Sequence, residues 1–205
     1  VAASDPPDLA TSTPGRNLTF PVPVGTEPGD QAYVAFSDSS AGTATAPIGF
    51  SLENSTLTNS SQLYKNTNIA DPVPASYTWV HDVTDIVRSG VMVIVRGSVL
   101  VKSTVNSSQD TANTSLTVPQ GNVGPGGTLL VLSTSLNSKF RDMSPNSPLV
   151  KLIDHGAKED ISYGQHRNAM ASAEENSIGG IIFNRSINFD GAGNQVVYGV
   201  FLRVA

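Results

Sequence analysis

The sequence predicts an all-β fold: a jelly-roll-like β-sandwich, one domain with two pseudo-duplicated halves. Three observations lead there. Short apolar segments alternate with polar residues or run unbroken for a few positions, bounded by Gly, Pro, Ser and Asn. Charged residues make up 14% of the chain, low for a soluble domain, while turn-forming residues are abundant. And the chain echoes itself: Leu18 to Ser37, LTFPVPVGTEPGDQAYVAFS, returns as LTVPQGNVGPGGTLLVLSTS at Leu116 to Ser135. Each copy starts with Leu-Thr, turns at Pro-Gly (Pro28-Gly29, Pro125-Gly126) and enters an apolar strand. Looser echoes join Pro47–Leu52 to Pro148–Ile153 and Val91–Arg96 to Gly199–Arg203. A spacing of about 100 residues, half the chain, is too long for a solenoid and fits one sheet-forming unit used twice.

In chain order, Val1 to Gly15 holds Pro6, Pro7 and Pro14 with little apolar mass. It reads as an extended N-terminal arm, residues 1–15, tied down by lying along a neighbouring subunit, with an arm folded back on its own domain as the alternative. The sandwich occupies 16–205, with halves at about 16–103 and 104–205. Leu18 and Phe20 alternate with Thr19, and Gln31 to Ser37 is a strand. Ser37 to Pro47 is a loop. Gly49–Glu53 and Ser61–Asn66 are short strands, and Pro-punctuated Ile69–Ala75 leads into Ser76–Val80, where Tyr77 and Trp79 share a face. Thr84 to Arg88 fits one helical turn capped by Asp82 or Thr84. Val91–Val95 is apolar throughout, suiting a strand buried on both faces, and Val99–Val105 continues as an edge. The second half repeats the plan with strands at Thr114–Val118, Thr128–Ser135, Leu149–His155, Asp160–His166, Ile178–Asn184 and Gln195–Val204. Lys139–Pro148 is irregular, and Asn168–Glu175 reads as a turn too short for a stable helix. The expected core is Tyr33, Val34, Phe36, Phe50, Trp79, Val93, Ile94, Val131, Ile181, Phe183 and Phe201.

The order Pro28-Gly29-Asp30, Pro47-x-Gly49-Phe50, Leu63-Tyr64-Lys65, Pro74-Ala75-Ser76-Tyr77-Thr78-Trp79 and Val95-Arg96-Gly97 resembles a β-sandwich domain of bacteriophage virion proteins, of tail-fibre or head-decoration type, and of some bacterial surface proteins. Phe50 stands where that family usually has Trp. The resemblance implies a fold and a setting on the exterior of a phage particle, and it carries over no catalytic residue.

The candidate chemistry is sparse. A net charge of −5 with scattered Lys and Arg argues against nucleic acid. No cysteine is present, so thiolate metal sites and disulfides are excluded. No apolar run approaches the ~18 residues of a membrane helix. His81, His155 and His166 match no metal-ligand spacing and are expected at solvated strand ends. Glu174-Glu175 with Asp160 or Asp190 would make a glycosidase pair only if brought within ~5–9 Å, which nothing in the sequence does. Asp190-Gly191-Ala192-Gly193-Asn194 lacks the alternating acids of a calcium loop and reads as a hairpin turn. Six Asn-x-Ser/Thr sequons, at Asn17, Asn54, Asn59, Asn106, Asn113 and Asn184, are expected by chance in a chain this rich in Asn, Ser and Thr. Trp79 and Tyr77 could stack on a sugar, but an alternating strand makes them core.

The expectation is therefore a non-enzyme with no catalytic, cofactor or metal site. Combined with the resemblance, it is a capsid decoration protein whose partners are other virion proteins and further copies of itself. A tail-fibre or adhesin module binding host-surface glycan is the alternative, with neither nucleic acid nor membrane as partner.

Overall fold

The computed structural model describes residues 1–4, 17–37, 44–56, 61–81, 88–108, 114–137, 143–157, 166–176, 180–190 and 193–205. Among these, every regular element is a strand. The first half contributes β1 (Ala2–Ser4), β2 (Asn17–Pro21), β3 (Gln31–Ser37), β4 (Ala44–Thr45), β5 (Ser51–Thr56), β6 (Ser61–Asn66), β7 (Ser76–His81) and β8 (Ser89–Val95). The second contributes β9 (Ser98–Ser108), β10 (Ser115–Val118), β11 (Gly121–Asn122), β12 (Gly127–Asn137), β13 (Met143–Pro145), β14 (Val150–Ala157), β15 (His166–Asn176), β16 (Ile181–Ile182), β17 (Arg185–Phe189) and β18 (Asn194–Val204).

Each half forms a five-stranded and a three-stranded antiparallel sheet. The orders are β1-β8-β3-β6-β5 with β2-β7-β4, and β9-β18-β12-β15-β14 with β10-β17-β13. Setting aside the small β11-β16 pair, the two halves use their strands in the same order. The Pro-Gly turns hold matching places: Gly29 and Gly126, at φ 89° and 71°, each precede the middle strand of a five-stranded sheet. Positive φ is what glycine supplies without steric cost. The bulges match too. One extra residue, Glu53 in β5 and Leu152 in β14, interrupts the pairing of each corresponding edge strand.

The expected single sandwich resolves into four layers. The two five-stranded sheets face each other at the centre, and each is backed by its own three-stranded sheet. Strand alternation feeds three cores. In β3, Tyr33 and Ala35 enter the central core, while Ala32, Val34 and Phe36 enter the outer core of the first half. In β12, Leu130 and Leu132 face the centre, while Leu129 and Val131 face the outer core of the second half. β8 and β18 divide in the same way, which is why their sequences lack polar alternation. Across the centre, β8 lies over β15, β3 over β12 and β5 over β9. The two sheet orders thus run in opposite directions, as in an isologous dimer.

Several expectations need correction. The expected boundary at about 103/104 falls inside β9 (Ser98–Ser108), all of which lies beside β18. Residues 168–175 belong to strand β15, not to a turn. Ala169, Ala171 and Ala173 face the central core and Met170 the outer one, so small residues serve where two sheets approach closely. Ile181 and Phe183 are 53% and 66% exposed, because the chain there forms only a two-residue strand at the sheet ends. Phe50 is half-buried, and the other expected core residues are buried. Of the expected arm, Ala2–Ser4 pairs with Met92–Ile94 of its own chain, this proline-free tripeptide keeping its N–H groups for the ladder. The rest of the expected arm, the helical turn before Arg88 and the Asp160–Gln165 part of an expected strand lie outside the described residues.

Candidate functional site

The end of the molecule that carries the Pro-Gly turns holds two concavities in matching places. In the first half, Val24–Thr26, Asp30, Ile94 and Arg96 line a cleft of about 330 Å³ with Val1 beside it. In the second, Val101, Asn122–Pro125, Arg203 and Val204 line one of about 520 Å³. A smaller cleft of about 240 Å³ adjoins it across Asn122, bordered by Lys102, Gln120, Gly121 and Ile181.

The arginines arrive by the same route. Val95 pairs with Gln31, so Arg96 stands opposite Asp30; Leu202 pairs with Thr128, so Arg203 stands opposite Gly127. Their surroundings differ. Arg96 donates from Nε and Nη2 to the two oxygens of Asp30 at 2.8 and 3.0 Å, and from Nη2 to the Gly25 carbonyl at 2.8 Å. Glu27 adds a second carboxylate at 3.1 Å. Hydrogen bonds from Arg96 outweigh the burial of Asp30 and hold its carboxyl below the usual range. In the second half Glu-Pro-Gly-Asp becomes Gly-Pro-Gly-Gly, so Gly124 and Gly127 replace both acids. No side chain fits at Gly127: an added Cβ would lie 2.4 Å from the Val123 carbonyl oxygen.

Arg203 therefore has no carboxylate partner among the described residues. Lys102 also lacks one; its ammonium donates to the Gln120 carbonyl at 3.2 Å and sits 4.7 Å from the centroid of the Phe201 ring. By contrast Lys65 pairs with Glu53, Lys151 with Asp154 and Arg185 with Glu174. The sequence held this signal in the residues flanking its two Pro-Gly turns. The signal is the exchange of Glu27 and Asp30 for Gly124 and Gly127 on either side of the shared Pro-Gly.

The residues weighed for chemistry fall elsewhere. Glu174 is clamped by Arg185 through both carboxylate oxygens, and Glu175 points to the opposite face because the two are successive in a strand. Asp160 lies outside the described residues, as do Gly191 and Ala192. His81 is buried against the Phe36 ring, at 5.5 Å between centroids, and does not sit at a solvated strand end. It shares the inward face of β7 with Tyr77 and Trp79. The side chains of His155 and His166 are outside the described residues, within which no three His, Asp or Glu groups gather. Trp79 is fully buried, and its indole N–H has no acceptor among the described residues. Among the described residues, three sequon side chains make hydrogen bonds: Asn106 donates to the Thr117 carbonyl at 2.9 Å, Asn184 accepts from the Gln120 N–H at 2.8 Å, and Asn54 accepts from the adjacent Ser55 N–H at 3.1 Å. Asn59 and Asn113 lie outside the described residues.

One further polar site joins the halves. Glu53, turned inward by its bulge, meets Lys65 at 2.5 Å and accepts from Ser103 of β9 at 2.7 Å. Burial opposes its ionisation, but these two hydrogen bonds prevail and keep its carboxyl below its ordinary value. This is a structural clamp across the central core.

Searches of protein-family models, of curated proteins and of solved structures find no match to this chain.

Proposed function

We propose that this chain is a non-enzymatic component of a phage particle surface, a capsid decoration protein that docks on a neighbouring virion protein by its Pro-Gly end. Each half is read as a jelly roll whose fifth strand has moved to the edge of the larger sheet. The phage setting rests on the resemblance of the sequence motifs. The docking rests on one observation: Val24, Ile48, Ile181, Phe183 and Val204 all stand exposed at that end, with Val1 among them. Apolar side chains gathered at one end, on a chain with three well-filled cores, support an interaction surface.

The test is particle occupancy. Val24→Asp with Ile48→Asp, both on exposed turns of the first half, is expected to leave melting unchanged and to reduce incorporation into particles. Full incorporation of the double variant would overturn the docking.

A second reading, a receptor-binding module for host-surface glycan, is favoured by the cation- and amide-lined clefts around Asn122.

A further inference from the structure

The geometry points to the Arg203 cleft as a binding site for an acidic saccharide, with a sugar carboxylate taking the place that Asp30 fills in the first half. This goes beyond the docking reading, rests on the glycan reading of the clefts around Asn122, and turns on Arg203, Lys102 and Asn122, which the docking test leaves unaltered.

The argument begins with the paired halves. Arg96 shows what an arginine in this position takes: a planar carboxylate, held by Nε and Nη2 at 2.8 and 3.0 Å. Such fork-to-fork pairing gives direction as well as strength. Arg203 stands one residue before the end of the corresponding strand, beside the corresponding turn, but the Gly-Pro-Gly-Gly sequence supplies no acid and the packing at Gly127 admits none. The position is thus open to a carboxylate from outside.

The neighbouring groups select the kind of molecule that carries it. The larger cleft continues across Asn122 into the smaller one, where Lys102 and Gln120 stand. Lys102 pairs with Phe201, two residues before Arg203 in β18, because a bulge at Val101 absorbs the odd residue; the two cationic residues therefore share a face, roughly 7 Å apart along the strand. Between them Asn122 has its side-chain oxygen occupied by the Gly124 N–H at 3.0 Å, leaving its amide N–H groups to donate. Among the described residues, no Asp or Glu lines either cleft. A row of cation, amide donor and cation matches a chain of sugar rings bearing many hydroxyl acceptors and periodic carboxylates. Val101, Val123 and Val204 supply apolar contact for the ring faces.

The experiment titrates the full chain, by calorimetry, with hexagalacturonate, with maltohexaose and with a hexaglutamate peptide. Hexagalacturonate is expected to bind and maltohexaose not to. Arg203→Ala should weaken the acidic saccharide about tenfold or more, the loss of one charge-assisted pair, with an unchanged melting temperature. Lys102→Gln should weaken it less. No binding of hexagalacturonate at millimolar concentration, or equal binding to wild type and Arg203→Ala, would overturn the site. Hexaglutamate binding as tightly as the saccharide would overturn the saccharide assignment in favour of an acidic protein segment. Particle occupancy depends on Val24 and Ile48 in the other half, so failure of either proposal is seen separately.

Discussion

Thr19 and Thr78 bring their side-chain oxygens within 2.9 Å across β2 and β7. Thr117 and Ser186 do the same at 3.1 Å across β10 and β17, the corresponding strands of the other half. In each case the flanking apolar pair, Leu18 with Trp79 or Leu116 with Ile187, faces the outer core. Strand order, bulge position, turn position and a cross-strand hydroxyl pair all agree between the halves. The halves differ in what fills the outer core: aromatic rings in the first, mostly aliphatic chains in the second.

That difference makes Trp79 the most costly single side chain in the first half. Its ring meets Phe50 at 4.8 Å, Phe20 at 5.5 Å, Tyr64 at 5.7 Å and Phe36 at 5.9 Å between centroids. Trp79→Ala is expected to cost about 3–5 kcal/mol in urea unfolding. Trp79→Phe should cost clearly less, because the indole N–H it removes has no acceptor among the described residues. A Trp79→Ala protein that unfolds at the wild-type urea midpoint would overturn the cavity argument.

The two turn glycines provide a test of equivalence. At Gly29, φ 89°, an added Cβ would meet the Asn68 side-chain oxygen at an ordinary 4.0 Å, so Gly29→Ala carries mainly backbone strain, about 1–2 kcal/mol. Gly126→Ala adds a contact of 3.2 Å to Val204, which can shift, and should fall in a similar range. If one variant were neutral and the other strongly destabilised, the turns would not be doing the same job.

Asp30 gives stability that depends on pH. Its pKa in the folded chain is below the unfolded value of about 3.9. The unfolded chain therefore binds its proton first as pH falls. The stabilisation is full above the unfolded pKa and is lost as pH drops through the lower folded one. Asp30→Asn should melt below wild type at neutral pH, and the gap should narrow in acid below about pH 4. A gap that stays constant from neutral pH into strong acid would assign the loss to packing.

Ser61 and Thr134 share a buried hydrogen bond of 2.8 Å between β6 and β12, across the central core. Thr134→Val should cost about 1 kcal/mol or more, since the Ser61 hydroxyl then loses a buried partner. A double-mutant cycle with Ser61→Ala should return a coupling of similar size. Zero coupling would mean that the two hydroxyls do not interact in solution.

Much of this architecture was legible because period-two alternation and Pro-Gly turns are local signals. Val91 to Val95 announced burial on both faces by having no polar partner positions, and Tyr77 with Trp79 announced one inward face. The failures have equally local causes. In β15 the alanines suggested helix or turn, because propensity carries no information about a second sheet pressing close. Phe183 and Ile181 read as core on hydrophobicity alone, which does not distinguish a core strand from an exposed connection. His81 reads as a solvated strand end because it is polar, yet it continues the inward row of Tyr77 and Trp79. The Arg203 cleft depended on comparing Glu27 and Asp30 with Gly124 and Gly127 across the echo, a comparison that becomes meaningful once both arginines are known to face those positions.

Burial of the central sheets on both sides bears on how the chain is made. When the first half has been synthesised, its five-stranded sheet presents Tyr33, Ala35, Leu63, Val91 and Val93 with nothing yet to cover them. The covering sheet cannot close early, because β9 pairs only with β18, the last strand in sequence, and β12 needs both β15 and β18. A nascent chain therefore carries an adhesive surface through the synthesis of nearly its whole second half. During that interval two neighbouring chains on one message could clasp each other's first halves in place of their own second ones, and slow translation after Gly97 would lengthen the window for that exchange.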